Sequence, residues 1–523
     1  MRNFHEPNRS LVIADGGMAA TSHPLASQVA VDLLAQGGSA VDAAVGAAVL
    51  LGLCEPQMTG LGGDVFALIA TPDGKIEGLN GSGRAPAAFD AAALRAEGHA
   101  NIPADHPAAV TIPGAVDAFC AMLDRHSALG REAVLAPAIR YFEAGVPVAP
   151  RVAYDWAVSE DRLRGAARDY FLKSGAVPAM GDRMAAPQQA LVLKEIAAKG
   201  RDGFYTGWVA EDLVAALRAE GGVHTLDDFA DAAPDWVDPI TGPYRDVEIV
   251  ELPPNGQGAA ALLMAAILER FDLSAMDPFG AERIHLEAEA AKLAYGARNR
   301  LIGDPMGQDW QTMLGGDMAA ELAAQVDMDR AGAFGPGIAG APHNDTIYLC
   351  VADRSGMVVS LIYSIFHSFG SGLAGARSGV LLQNRGAGFT LQDGHPNEAG
   401  PGRRPMHTII PAMLLREGKV EMPFGVMGGQ YQAAGHARFV SNVIDFGLDP
   451  QQSIEAPRSF PEMGSLYLEE RLMPHADALA AKGHDVVLRG TPLGGAQAIQ
   501  IDHQRGVLMG ASDPRKDGCA LGL

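Results

Sequence analysis

The stretch HNDTIYLCVAD, His343 to Asp353, decides how the rest of the chain is read. A polar Asn-Asp pair is followed at once by Thr346 and an alternating run of strand formers. On local pattern, Asn344 and Asp345 make a turn and Thr346 opens an ordinary strand. A second reading cuts the chain between Asp345 and Thr346. Thr346 is then a new N-terminus carrying both a nucleophilic hydroxyl and a free amine. The preceding AGAFGPGIAGAPHND is Gly/Ala/Pro-rich and reads as an exposed, flexible loop, where a cut is feasible because no regular structure resists it.

Downstream of Thr346 the texture is strand-rich. TIYLCVADRSGMVVSLIYSIF reads as two strands around an Arg354-Ser355-Gly356 turn, and HTIIPAMLLREGKVEMPFGVMGG and AQAIQIDHQRGVLMGASDPR each place a turn between apolar runs. Upstream, the N-terminal third alternates strand, helix and Gly-rich turn. SLVIADGG is a short strand. HPLASQVAVDLLAQGG is an amphipathic helix closed by Gly37. Ser39 and Asp42 are spaced as a capping box for the next helix. MTGLGGDVFALIATPDGKIEGL is a glycine turn feeding a hairpin over Asp73-Gly74. The middle, from about 110 to 330, reads as mostly helical.

Bulk properties narrow the function. Hydrophobic residues make up 48% of the 523, enough for a large core, so wholesale disorder is excluded. The formal charge of −22 gives no general attraction for nucleic acid or anionic membrane. The longest apolar run, AAVGAAVLLGLC, is too short to span a bilayer. The N-terminus has no apolar signal region. Cys54, Cys120, Cys350 and Cys519 show neither CxxC nor zinc spacing. Together these lead to an expected cytoplasmic, reduced location. The Gly-rich turn matches neither a phosphate loop nor GxGxxG, HLEAE is not HExxH, and the 15 His are scattered without ligand spacing. No metal is expected.

What remains is an N-terminal nucleophile. Attack of the Thr346 hydroxyl on the Asp345 carbonyl, an N→O shift and hydrolysis of the ester would free the Thr346 amine. With a reference pKa of about 7.7–8.0, that amine can act as the base for its own hydroxyl, so no distant His or Asp is required. An oxyanion hole of backbone N–H groups is also needed. Gly428-Gly429 in FGVMGGQY offers one, though a plain turn or bulge explains the same pair.

The motifs ASQVAVDLLAQGGSAVDAAV, EPQMTGLGGDVF, TIPGAVDAF, ELPPNGQGAAALL, EAAKLAYGARNRLIGDP, DTIYLCVADRSGMVVS, GPGRRPMHTIIPAM and GASDPR run nearly end to end. In them the chain resembles the γ-glutamyltranspeptidase family of N-terminal nucleophile hydrolases, in a variant branch similar to oxamate amidohydrolase. The resemblance implies a four-layer αββα sandwich (class α/β, α+β) and self-cleavage into a large subunit, 1–345, and a small subunit, 346–523, intertwined as one domain. It implies Thr346 as nucleophile, Ser364 as a supporting hydroxyl, Gly428 and Gly429 in the oxyanion hole, and no cofactor. The implied partners are a small-molecule amide and the two fragments themselves. Assembly as a homodimer or heterotetramer is left open.

Departures from the family pattern concern specificity. Its carboxylate-binding Arg falls on Ser82 in GSGRAP, with Arg84 two residues later. An amine-binding Asn falls on Phe366. The N-N-Q-M-D-D-F stretch reads QNRGAGF, with Arg385 for Gln and Gly388 for the last Asp, and a Ser-Ser pair reads His407-Thr408. The carboxylate that holds a γ-glutamyl amine is missing, and Arg385 would repel an ammonium and attract a carboxylate. The expected reaction is hydrolysis of a small acidic amide through an acyl-enzyme. Glutathione hydrolysis stays open, since Thr408 or a shifted Arg84 could take part of the binding. So do a cephalosporin-type acylase and an unprocessed binding scaffold. His407 is expected to pack, or to touch the substrate's rim.

Overall fold

A computed structural model describes residues 5, 8–304, 309–333 and 346–523; Asp345 and the expected scissile bond lie outside the described residues. Two seven-stranded antiparallel sheets organise the chain. The first runs, in spatial order, Cys519–Gly522, Gly17–Thr21, Ile347–Asp353, Val358–Ser364, Asp64–Ala70, Ile76–Gly81 and Asp235–Val237. The second runs Val12–Ala14, Val507–Ser512, Gly495–Asp502, Lys419–Met427, Ala412–Arg416, Val247–Glu251 and Ile240–Tyr244. Strands from before and after residue 346 share both sheets.

The period-2 alternation of the opening stretch is the reason for the layering. Ile347, Leu349 and Val351 face outward into a core shared with the helices Pro24–Ala35, Ala40–Cys54 and Ala115–His126. Tyr348, Cys350 and Ala352 face the other way and meet Met413, Met427 and Ile499 of the second sheet. The outer face of that sheet, with Phe424 and Val426, is covered by the helices Gly258–Leu268, Ala281–Leu301 and Gln432–Ile444. The result is the four-layer αββα sandwich. Each large aliphatic side chain so enclosed contributes about 1.5–3 kcal/mol relative to exposure.

The capping box forms as the spacing predicts: the Ser39 hydroxyl accepts from the Asp42 amide at 3.1 Å, and the Asp42 carboxylate accepts from the Ser39 amide at 2.9 Å. The helix it starts, Ala40–Cys54, is buried along its whole length, which accounts for the longest apolar run. Among the described residues no helix is long and apolar enough to cross a membrane. The middle region is mostly helical, as expected, but not wholly so. It contains the strands Asp235–Val237, Ile240–Tyr244 and Val247–Glu251, which edge both sheets. They are short, and their alternation is broken by Pro239 and Pro243, so they carry little periodic signal.

Candidate active site

Register brings the site together at one end of the first sheet. Ile347 pairs with Tyr363, which sets Thr346 opposite Ser364, and Ser364 itself pairs with Asp64. Thr346, Ser364 and Asp64 are all fully buried. They share the strand faces of Tyr348, Ile362 and Phe66, so the three side chains sit between the two sheets. The Thr346 hydroxyl donates to Ser364 Oγ at 3.3 Å, and Ser364 Oγ also accepts from the Phe366 amide at 2.9 Å.

Asp64 is the residue that reading the sequence missed. It stands at the end of MTGLGGD, where the glycines, as a turn feeding a hairpin, carry the local signal and the carboxylate does not. Its Oδ1 accepts from the Gln383 side chain at 2.8 Å and the amides of Gly83 (2.9 Å) and Gly114 (3.3 Å). Its Oδ2 lies 3.1 Å from His407 Nε2. Burial pushes its carboxyl up to about 6, against the opposing pull of Arg385 and these donors. His407 is fully buried; its Nδ1 accepts from the Ile409 amide at 3.3 Å, which assigns the ring proton to Nε2 and makes it the donor to Asp64. The ring also packs on Phe66 at 4.8 Å.

Arg385 opens a short turn and is fully buried. Its guanidinium lies 3.9 Å over the Phe366 ring, and Nη1 donates to Thr408 Oγ1 at 3.1 Å. Nε and Nη2 have no hydrogen-bond partner among the described residues. Burial lowers its pKa to about 9, with Asp64 opposing, so the group stays cationic at neutral pH. Phe366 holds a left-handed backbone, φ 77°. A bulky residue rarely adopts that conformation, and here it turns the ring beneath the cation.

From the second sheet, the strand Lys419–Met427 ends in Gly428, at φ 116°, and Gly429, at φ 57°. A Cβ on Gly428 would meet the Gly494 Cα at 2.9 Å. Both the conformation and the space demand glycine there. Ser82 is buried and bonded to Asn80 Oδ1 at 2.7 Å. Arg84 faces outward, paired with Asp235 at 3.2 Å and Asp304 at 3.7 Å. Both line a cavity of about 370 Å³, together with Gly83 and Gly114, whose amides donate to Asp64.

His285, Glu289 and His484, which the sequence left scattered, do converge in a buried cluster. The cluster is internally satisfied. Lys292 and the Gly332 amide take the two Glu289 oxygens at 2.8 and 2.9 Å, and the two imidazoles bond each other at 2.8 Å. The Lys292 ammonium thus already supplies a cation beside Glu289.

An αββα sandwich of this connectivity places the chain in the N-terminal nucleophile hydrolase class. Within it, the γ-glutamyltranspeptidase model matches residues 26–523, and the chain belongs to that family. It is 34% identical to the "Glutathione hydrolase-like YwrD proenzyme" of Bacillus subtilis, over 98% of this chain and 99% of that one. It is 36% identical to the "Oxamate amidohydrolase proenzyme" of Klebsiella pneumoniae, again over 98% and 99%. Its fold matches a crystal structure of cephalosporin acylase from Bacillus halodurans with a TM-score of 0.93 at 36% identity, covering 100% of this chain and 98% of that one. The chain is a hydrolase/acyltransferase of this family.

Proposed function

We propose that the chain is an autoprocessing, threonine-nucleophile amidohydrolase acting on small amides whose acyl part carries a carboxylate. The observation that carries the specificity is Arg385, a buried cation with two N–H groups unpartnered among the described residues. Such a group is costly to bury unless something anionic meets it. A carboxylate accepting from Nε and Nη2 would do so in the bidentate geometry that guanidinium favours.

Processing begins with attack of Thr346 Oγ on the Asp345 carbonyl. The N→O shift leaves an ester, and water cleaves it to fragments 1–345 and 346–523. They stay associated because both contribute strands to each sheet. In turnover the freed amine takes the Thr346 hydroxyl proton as Oγ attacks the amide carbonyl. Gly428 and Gly429 N–H groups meet the oxyanion, the leaving amine departs protonated, and water releases the acid. Ser364 orients the hydroxyl. Arg385, Thr408 and Phe366 form the acyl pocket, with His407 behind it. Ser82 and Arg84 are assigned to the outer part of the substrate, the latter only by leaving its acidic partners. The proenzyme names of two relatives support self-cleavage. Four free cysteines, three of them buried, support a reducing, cytoplasmic location.

The test is a substrate panel on the processed protein: N-(4-nitrophenyl)oxamic acid, a glutaryl anilide and a γ-glutamyl anilide. Preference for the first two by at least about tenfold in kcat/KM is expected from one lost charge-assisted contact. Preference for the γ-glutamyl anilide overturns the specificity and leaves a glutathione-hydrolase-type enzyme. No cleavage of the chain and no turnover of any substrate leaves a binding scaffold.

A further inference from the structure

The turn carrying Gly428 and Gly429 is gripped from outside its own strand. Gln257, fully buried just before the helix Gly258–Leu268, donates from Nε2 to two carbonyls, Thr408 O at 2.6 Å and Gly429 O at 3.2 Å. Its Oε1 accepts from Arg298 Nη1. Arg298 is buried on the helix Ala281–Leu301, and its guanidinium lies 4.1 Å over the ring of Tyr295. The Tyr295 hydroxyl in turn donates to Gln430 O at 2.6 Å. Two consecutive carbonyls of the turn are therefore held by residues of the 1–345 part.

The chemistry gives this arrangement a direction. An amide side chain can flip, exchanging its donor and acceptor ends. Arginine can only donate. Facing Arg298, Gln257 must present its oxygen to the guanidinium and its NH2 to the two carbonyls. Thr408 is also the residue whose hydroxyl Arg385 holds. One side chain thus spans from the oxyanion turn to the acyl pocket.

We propose that Gln257, oriented by Arg298, is a positioning residue that sets the geometry of the Gly428–Gly429 turn and ties it to the Arg385–Thr408 pocket. This rests on the reading of those glycines as oxyanion donors. Gln257→Glu is the sharpest variant: it keeps size and still pairs with Arg298, but turns an acceptor toward both carbonyls. Gln257→Met removes the bonds without adding charge.

The experiment measures kcat, KM and active-site titre with N-(4-nitrophenyl)oxamic acid, beside Tm, for Gln257→Glu, Gln257→Met, Arg298→Met and the Gln257→Met/Arg298→Met double variant. The expected result is a fall in kcat per titrated site of about 10²-fold, the size of effect a misplaced reacting geometry produces, with KM changed less than about threefold. The double variant should be no worse than the worse single, because the two residues act in series. The inference is overturned if kcat per titrated site stays within about twofold of wild type, or if the loss follows titre and Tm alone, as a merely structural role would give. Gly428→Ala is run alongside. If it is inactive while the Gln257 variants are normal, only this inference falls. If it is fully active, the oxyanion reading fails and the inference falls with it.

Discussion

The Thr346 hydroxyl points at the Ser364 hydroxyl, 3.3 Å away across two strands joined by a three-residue turn. A hydroxyl so placed would hold the rotamer of Thr346, the proposed nucleophile, before any substrate arrives. Ser364→Ala is expected to slow both chain cleavage and turnover by about 10- to 100-fold, the scale of one positioning contact. Intact mass under denaturing conditions, followed over time, reads the first. Thr346→Ala should remain a single 523-residue chain indefinitely. If it still breaks after Asp345, the nucleophile has been misassigned.

Arg385 should govern acyl selection. Arg385→Met is expected to raise KM for an oxamic anilide by about 10- to 100-fold, the worth of hydrogen bonds to a charged group. Arg385→Lys should recover only part of this, because an ammonium cannot reproduce the planar fork over Phe366. Steady-state kinetics on both variants settle the point; an unchanged KM in Arg385→Met would remove Arg385 from the pocket.

Asp64 predicts a pH dependence. Its carboxyl, pushed up to about 6, faces His407 and offsets part of the Arg385 charge. As pH falls through that value the acid becomes neutral, and Arg385 attracts a substrate carboxylate without competition. KM should therefore fall between about pH 7 and pH 5, while kcat should fall too if the freed Thr346 amine is the base, as proposed, because it becomes protonated. In Asp64→Asn the KM slope should vanish and the kcat slope remain. The raised pKa also favours the protonated acid in the folded state. That share of stability is present at low pH and lost as pH rises from the usual 3.8 through about 6.

Gly428→Ala should fail for two separable reasons. Its φ of 116° is strained for any Cβ-bearing residue, and the added methyl carbon would press on Gly494. A stability loss of about 1–3 kcal/mol is expected from the backbone strain. Activity should drop about 10²- to 10³-fold, as when one oxyanion donor is lost. Urea unfolding and kinetics on the same preparation separate the two effects.

Much of this was readable along the chain. The alternation after Thr346, the Asp73-Gly74 and Arg354-Ser355-Gly356 turns and the Ser39 capping box are local patterns. Each depends on residues within a few positions, so each survives translation into structure. Thr346, Ser364 and the glycine pair are singled out, for the roles proposed above, by a resemblance carried by contiguous motifs. The three strands between Asp235 and Glu251 were not readable, because prolines and short length erase their period.

The site's electrostatics belong to the fold. Asp64 and His407 are 343 positions apart, Gln257 and Gly429 are 172 apart, and Arg385 reaches Thr408 across 23. No periodicity encodes such pairs. They arise because two sheets stack with their strand ends aligned, bringing loops from the whole chain to one edge. Burial then decides what the residue types cannot: Arg84, the arginine nearest the family's position, stays at the surface with its acidic partners. Arg385, enclosed and only partly satisfied, is left with the N–H groups on which the proposed acyl specificity rests.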